Sequence, residues 1–313
     1  MKKLFIKTVL FGVLTYVSGS AFAQEIQIED VKFVYPIIEK WVNEYKKAYP
    51  DSKLVVKVQS GQQENNVSGV QVVASSVPEL EAGGNGKVVY VGRYALIPVS
   101  NRNNPLLEKV GKGLKKKELR NLVFEKDLSD EELYEDEGKE KYTATVYSRS
   151  GQTPTTLVLA EYFDRSPERI KGKKIVGDEI YLVDALRKDE NGVAFNTLNY
   201  VYDLKTRQLK SNLTVLPLNL KSEIREALLS HDIDRTISAL EVTKIEAIPV
   251  ENFGLVIPEP YFSDTEVLRF ANWVLESGQQ FNHELGFLTL DANTLSSQQK
   301  ALKSERLSYA LTK

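Results

Sequence analysis

Between Ile26 and Ala74 the sequence alternates short apolar runs with a strongly helical stretch, and this alternation limits the fold more than any other feature. Ile26 and Ile28 alternate with polar residues as a short strand. Pro36 then opens a helix in which Ile37, Ile38, Trp41, Tyr45 and Ala48 recur at helical spacing, and Pro50-Asp51 ends it. Leu54 to Val58 reads as a second strand, followed by the Ser60-Gly61 turn and a polar stretch through Asn66 that suits a short helix or a loop. Val70 to Ala74 reads as a third strand. An order of β, α, β, α, β favours a mostly parallel sheet whose loops gather at the C-terminal ends of the strands, where such sheets bind ligands.

The stretch richest in binding chemistry is Ser148-Arg149-Ser150-Gly151-Gln152-Thr153-Pro154. A β-branched and aromatic segment from Thr143 to Ser148 precedes it as a strand, and a helix follows. Thr153 is placed to cap that helix, and Pro154 at its first position sacrifices no hydrogen bond. The N–H groups of Gly151, Gln152 and the first turn then point toward one spot, backed by the positive end of the helix dipole, which favours an anion. Arg149 adds a planar donor fork and Ser150 a hydroxyl. The plainer alternative is an ordinary capped turn carrying a solvated arginine.

A chain of 313 residues has room for two domains, and 42% hydrophobic with 27% charged residues is a globular composition. The formal net charge of −2 gives no general attraction to nucleic acid or anionic lipid, so an anion site must be local. The absence of cysteine excludes disulfides, thiolate metal sites and a cysteine nucleophile. At the N-terminus, Lys2 and Lys3 precede an apolar run from Leu4 to Val17, and Ala21-Phe22-Ala23 matches a small-x-small cleavage pattern. Residues 1–23 are therefore expected to be a signal peptide cleaved after Ala23, with a periplasmic product. The run is shorter than the ~20 apolar residues of a spanning helix. Losing Lys2, Lys3 and Lys7 leaves 38 basic against 43 acidic residues.

Further along, Ala82 to Gly86 is a turn-rich linker, and Val88–Val91 and Tyr94–Val99 read as two strands leaving a first lobe. Leu114 to Phe124 reads as a helix with Lys115, Lys116, Lys117 and Arg120 outward; beside the acidic run from Glu125 to Glu137 this is a solvated face rather than a nucleic-acid patch. Leu213 to Leu216 reads as a strand, Ile224 to Leu240 as one helix, and Phe253 to Ile257 as a strand returning to the first lobe. Ser263 and Glu266 form a capping box for a helix stopped by Gly278, and an apolar group from Phe281 to Leu290 closes the fold.

Four stretches, taken in order, resemble the phosphate-binding periplasmic receptors of ABC importers, the type II two-lobed solute-binding proteins. They are Lys32-Phe33-Val34-Tyr35-Pro36 through Trp41, Tyr94 through Val99 with Asn101 and Asn104-Pro105-Leu106, Arg149-Ser150-Gly151-Gln152-Thr153, and Trp273-Val274-Leu275 with Gly278-Gln279 and Gly286-Phe287-Leu288. The resemblance implies a two-lobed α/β fold with mixed sheets flanked by helices: lobe 1 from 24–97 plus 254–313, lobe 2 from 98–253. It implies a phosphate-like anion held between the lobes by four loops, here through Lys32, Phe33, Ser60, Ser76, Arg149, Ser150, Gly151 and Gln152. The chain departs from the family's ligand set. Lys32 stands where a Thr is usual, Ser76 where an Asp is, Gln152 where a Thr is, and Arg149 is displaced from the family's Arg. Together these make the pocket more positive by up to two charges.

Two functions follow from different classes. In one, the protein is a monomeric transport receptor for a small anion, working with a membrane permease and needing no cofactor or metal. In the other, the lobes persist around a decayed pocket and the module contacts another envelope protein. An enzyme is not expected: His231 and His283 have no base or ligand at triad or metal spacing, and no Gly-x-Ser-x-Gly elbow occurs.

Overall fold

The computed structural model describes residues 25–28, 31–58, 69–74, 86–126, 142–258 and 265–311. The expected leader, Ser60, Ser76, Ser263, the polar stretch through Asn66 and most of the 82–86 linker lie outside the described residues.

The N-terminal strands form as the alternation requires. β1 (Glu25–Ile28) pairs in parallel with both β2 (Val55–Val58) and β3 (Val70–Val73). Between β1 and β2, a 3-10 turn over Lys32–Val34 leads into α1 (Tyr35–Ala48), which buries Ile37, Ile38, Trp41, Val42 and Tyr45 on one face. Ala48, expected on that face, is exposed at the helix end.

The two strands expected over 88–99 are one. β4 (Gly86–Asn101) runs unbroken for 16 residues and absorbs its irregularity as a register shift between Tyr90 and Gly92. Up to Ala95 it pairs with β9 (Val250–Pro258); from Leu96 it pairs with β7 (Gly192–Thr197). Its last residues also pair with β8 (Leu213–Val215). Beyond β7 lie β5 (Thr145–Arg149) and β6 (Lys173–Ile175), both in parallel. The strand order is β2-β1-β3-β9-β4-β7-β5-β6, with β8 set on β4. Parallel outer pairs joined through antiparallel central ones make the sheet mixed.

Helices cover both halves: α2 (Leu106–Lys109), α3 (Lys116–Val123), α4 (Pro154–Tyr162), α5 (Glu179–Lys188), α6 (Leu198–Val201), α7 (Ser222–Leu229), α8 (Ile233–Val242), α9 (Thr265–Glu276) and α10 (Ala292–Leu311). The single helix expected over 224–240 is divided. His231 adopts a left-handed φ of 61°, and the Asp232 carboxylate accepts the N–H groups of Asp234 and Arg235, capping a new helix. Gly278 follows α9, as expected of a stop, and its carbonyl accepts the buried indole N–H of Trp41 at 2.8 Å. α10 was not anticipated; Asp291 caps it by accepting the N–H groups of Asn293 and Thr294. On α3, the ammonium of Lys116 lies 4.3 Å from the Tyr162 ring centre, so part of the basic face is used within the chain.

Two aromatic groups lie within the buried core. Trp41 stacks on Phe253 and Phe253 packs on Phe287, while Phe163 joins Phe124 to Phe195. All but Phe195 are at most 1% exposed.

Candidate anion site at the β5–α4 turn

β5 ends on Arg149, and the Ser150 N–H continues the pairing by donating to the Ile175 carbonyl at 2.9 Å. The chain then reverses at Gly151, whose φ of +80° is in the region glycine reaches without the clash of a Cβ. Thr153 and Thr156 cap α4 reciprocally. The Thr153 hydroxyl accepts the Thr156 N–H at 3.4 Å, and the Thr156 hydroxyl accepts the Thr153 N–H at 2.9 Å. This cap uses the helix's own hydroxyls and leaves the N–H groups of Gly151 and Gln152 without a hydrogen-bond partner among the described residues. Both residues are exposed.

Below the turn lies a carboxylate that the sequence reading did not single out. Glu179, the first residue of α5, is only 7% exposed. Its Oε1 accepts the Thr155 hydroxyl at 2.9 Å, whereas its Oε2 is buried with no hydrogen-bond partner among the described residues. The Nε of Arg149 is likewise buried and unpartnered. Both side chains line a cavity of about 20 Å³, shared with Ser148, Thr155, Thr156 and Phe195. That volume is of the order of one water molecule. Burial pushes the Glu179 carboxyl up to about 6, against the opposing pull of Arg149 and of the Thr155 hydrogen bond; the charge of Asp178 adds to the rise. Because α4 and α5 both begin here, the positive ends of two helix dipoles converge on the same place.

Asp178 does not cap α5. Its carboxylate accepts the Tyr200 hydroxyl at 2.6 Å, and burial together with that bond raises the Tyr200 pKa. On the β5 side, the Lys174 ammonium donates to the Ser148 hydroxyl at 3.0 Å and to the Ile170 carbonyl at 2.6 Å; burial lowers its pKa.

Phe33 is buried, its ring centre 4.8 Å from that of Tyr94 in an edge-to-face arrangement, and its carbonyl accepts the Asn199 side-chain N–H at 2.8 Å. This ties the Lys32–Val34 turn to the junction of β7 and α6. The Tyr94 hydroxyl donates to the carbonyl of Ala74, at the end of β3. Burial holds that hydroxyl well above its ordinary value, with smaller contributions from the charges of Glu251 and Glu179.

The expected ligand residues are thus only partly gathered. Arg149, Ser150, Gly151 and Gln152 form one turn; Lys32 and Phe33 sit on another, where Lys32 is exposed. Ser60 and Ser76 lie outside the described residues. The Gln152 side chain is turned outward, donating to Glu168 Oε1 at 2.7 Å, so its backbone N–H alone is left for a ligand. Glu179 was missed because its partners, Thr155 and Arg149, are 24 and 30 positions earlier, and only the adjacency of β5, α4 and α5 unites them.

Outside this site, His283 meets Glu241 at 2.9 Å, a partner far away in sequence. The same carboxylate oxygen accepts both the N–H and the hydroxyl of Thr289. His231 lies 3.2 Å from the Thr214 hydroxyl. No group of three or more metal-ligating side chains occurs among the described residues. Nor is any helix among them long and apolar enough to cross a membrane.

No model of a protein family matches the sequence, and no curated protein matches it. Solved structures do. A substrate-binding protein from Clostridium perfringens, assigned to a phosphate ABC transporter and solved with bound phosphate, is 15% identical with a TM-score of 0.56; the alignment covers 86% of this chain and 100% of that one. The chain has a two-lobed type II periplasmic-binding-protein fold. An ABC-type phosphate transport receptor from Vibrio cholerae aligns over 85% of this chain and all of its own, at 12% identity and a TM-score of 0.53. The regulatory domain of Synechocystis CcmR, in complex with 2-PG, aligns over 82% and 97% at 12% identity and a TM-score of 0.50. At these identities the likeness establishes the solute-binding fold, which occurs in transport receptors and in a regulator alike.

Proposed function

We propose that the protein is an exported, non-enzymatic solute-binding protein that holds a small oxyanion or carboxylate between two lobes, as the binding component of an ABC-type importer. Lobe 1 comprises 24–97 and 254–313, and lobe 2 comprises 98–253. Arg149 and the N–H groups of Gly151 and Gln152 form the centre of the site in lobe 2, with the Ser150 hydroxyl beside them. Lys32, Phe33, Ser60 and Ser76 close on the ligand from lobe 1 as the lobes come together. The observation that carries this reading is an arginine with a buried Nε beneath a turn with exposed N–H groups, all of them without a hydrogen-bond partner among the described residues. A buried Nε is costly to leave unmatched, and an anion at the turn would draw on that arginine and on the free N–H groups together.

The test is thermal unfolding of the mature chain from Gln24 against phosphate, sulfate, carboxylates and phosphate esters. A ligand at ~100 times its dissociation constant stabilises the native state by ~2.7 kcal/mol, a shift of several degrees. The expected result is a shift with one anion class that Arg149→Ala abolishes. A second reading, an envelope module that contacts a protein partner, draws on a groove of about 1210 Å³ between α3, α7 and α8, beside which Val242 is 85% exposed. If no anion moves the midpoint, the receptor reading fails and this second one stands.

A further inference from the structure

We propose that Glu179 is a working part of the anion site, taking a proton from solvent as the anion enters, so that the protein binds one anion together with one proton. This rests on the anion-binding reading above and adds to it a second, linked ligand.

The geometry sets the problem the proton solves. Arg149 and Glu179 line the same small cavity, yet no hydrogen bond joins them, and each keeps one buried atom unmatched. With both ionised, their charges cancel and an arriving anion finds no net attraction. It also enters the field of a carboxylate 93% removed from water, where screening is weak. Protonation of Oε2 removes the repulsion, leaves the Arg149 charge whole, and turns an unmatched acceptor into an O–H donor. The proton comes from bulk water or buffer, and the only bond formed is that O–H.

No other group near Glu179 replaces this step. Facing it are Arg149 from β5, the Thr155 hydroxyl from α4, Asp178 just before its own helix, Tyr200 from α6 and Tyr94 from β4. Arg149 is the one cation among them. Asp178 is engaged by Tyr200, and both tyrosines hold their protons more tightly than usual. Glu179 begins with its carboxyl near 6 and an incoming anion raises it further, so at neutral pH the unliganded site is mostly ionised and the liganded one protonated. If the anion enters only the protonated form, affinity falls about 25-fold between pH 5.5 and 7.5, the ratio of protonated fractions.

The experiment is calorimetric titration of the whole mature chain with sulfate and with nitrate, whose charges stay fixed over this range. It is run at pH 5.5 and 7.5, and at 7.5 in two buffers of different ionisation heat. The expected result is uptake of about one proton per anion at pH 7.5 and the ~25-fold loss of affinity, both absent in Glu179→Gln. Thr155→Val, which strips the hydrogen bond favouring the ionised carboxyl, moves the onset of the pH dependence upward; the wild-type proton count needs no variant at all. Binding without proton uptake, or uptake that persists in Glu179→Gln, overturns the proposal and leaves the anion reading intact. If neither anion binds to either protein at either pH, this inference falls, and the anion reading is decided by the wider panel of phosphate, carboxylates and phosphate esters.

Discussion

Glu179→Gln should stabilise the unliganded protein at neutral pH and not at acid pH. The carboxyl titrates near 6 in the folded chain and near 4.5 when exposed, because burial outweighs the help of Arg149 and Thr155. A carboxyl whose folded pKa is raised binds more protons in the native state than in the unfolded one through this window. Stability therefore falls as pH rises from 4.5 to 6 and stays lowered above it. A rise of this size corresponds to about 2 kcal/mol at pH 7.5 and to nothing below pH 4.5. Glutamine keeps the shape and the acceptor that Thr155 uses, and carries no charge to desolvate. Urea unfolding of both proteins at pH 7.5 and 4.5, without anions, reads the double difference directly. The expected outcome is a gain of about 2 kcal/mol for the variant at pH 7.5 that disappears at pH 4.5. A difference of the same sign and size at both pH values would refute the reasoning, since it would show that packing, not charge, sets the cost of this residue.

Gly151 and Gly172 share a φ of +80°, but a Cβ at Gly151 meets open space whereas one at Gly172 would lie 2.1 Å from the Val146 carbonyl oxygen. Alanine at Gly151 should cost about 1–2 kcal/mol of backbone strain, and at Gly172 clearly more; equal losses in urea midpoint would contradict the placement of β5 over Gly172. Trp41→Phe strands the buried Gly278 carbonyl and should lower stability by about 1–3 kcal/mol from that bond alone, an expectation that an unchanged urea midpoint would exclude. The hydrogen bond to Glu241 raises the His283 pKa, and bonds from His283 and Thr289 lower that of Glu241 despite burial. Their mutual stabilisation is present between the ordinary values of 4.5 and 6.5, is lost as pH rises through the folded value of His283, and is lost as pH falls through that of Glu241. Glu241→Gln should therefore destabilise more at pH 6 than at pH 8.5, and a loss independent of pH would show that the histidine stays neutral throughout.

Much of the fold was legible because local rules decided it. Pro36 with its helical apolar spacing, the Thr153-Pro154 start of α4, and the runs that became β1 to β3 each carry their own signal. Failures came where one residue competed with a pattern. Asp232 outbid the apolar period of 224–240 by offering its carboxylate to two backbone N–H groups. The Asn101-side half of β4 joined its Gly86-side half because β9 and β7 meet it end to end, a circumstance no window of sequence contains. α10 has no strong apolar stripe, and its one clear signal is the single cap of Asp291 before Asn293 and Thr294. Of the candidate site, the geometry of the turn itself was legible: Arg149, Ser150, Gly151 and Thr153 are consecutive enough to read. Glu179 was invisible for the opposite reason, since a first-turn acid on a helix is ordinary until burial and an unmatched oxygen distinguish it.

The pairing of β9 has a consequence for how the chain is assembled in time. Val72 pairs with Leu255, and Val89 pairs with the same residue from the other side, so β3 and β4 are held together by a strand that arrives about 160 residues later. β1, β2 and β3 find one another at short range, as β5, β6 and β7 do, but nothing joins β3 to β4 until β9 is present. The seam between them is therefore the late part of the folded protein. Refolding followed by hydrogen exchange should protect the amides shared by β5 and β7 before those shared by β3 and β9.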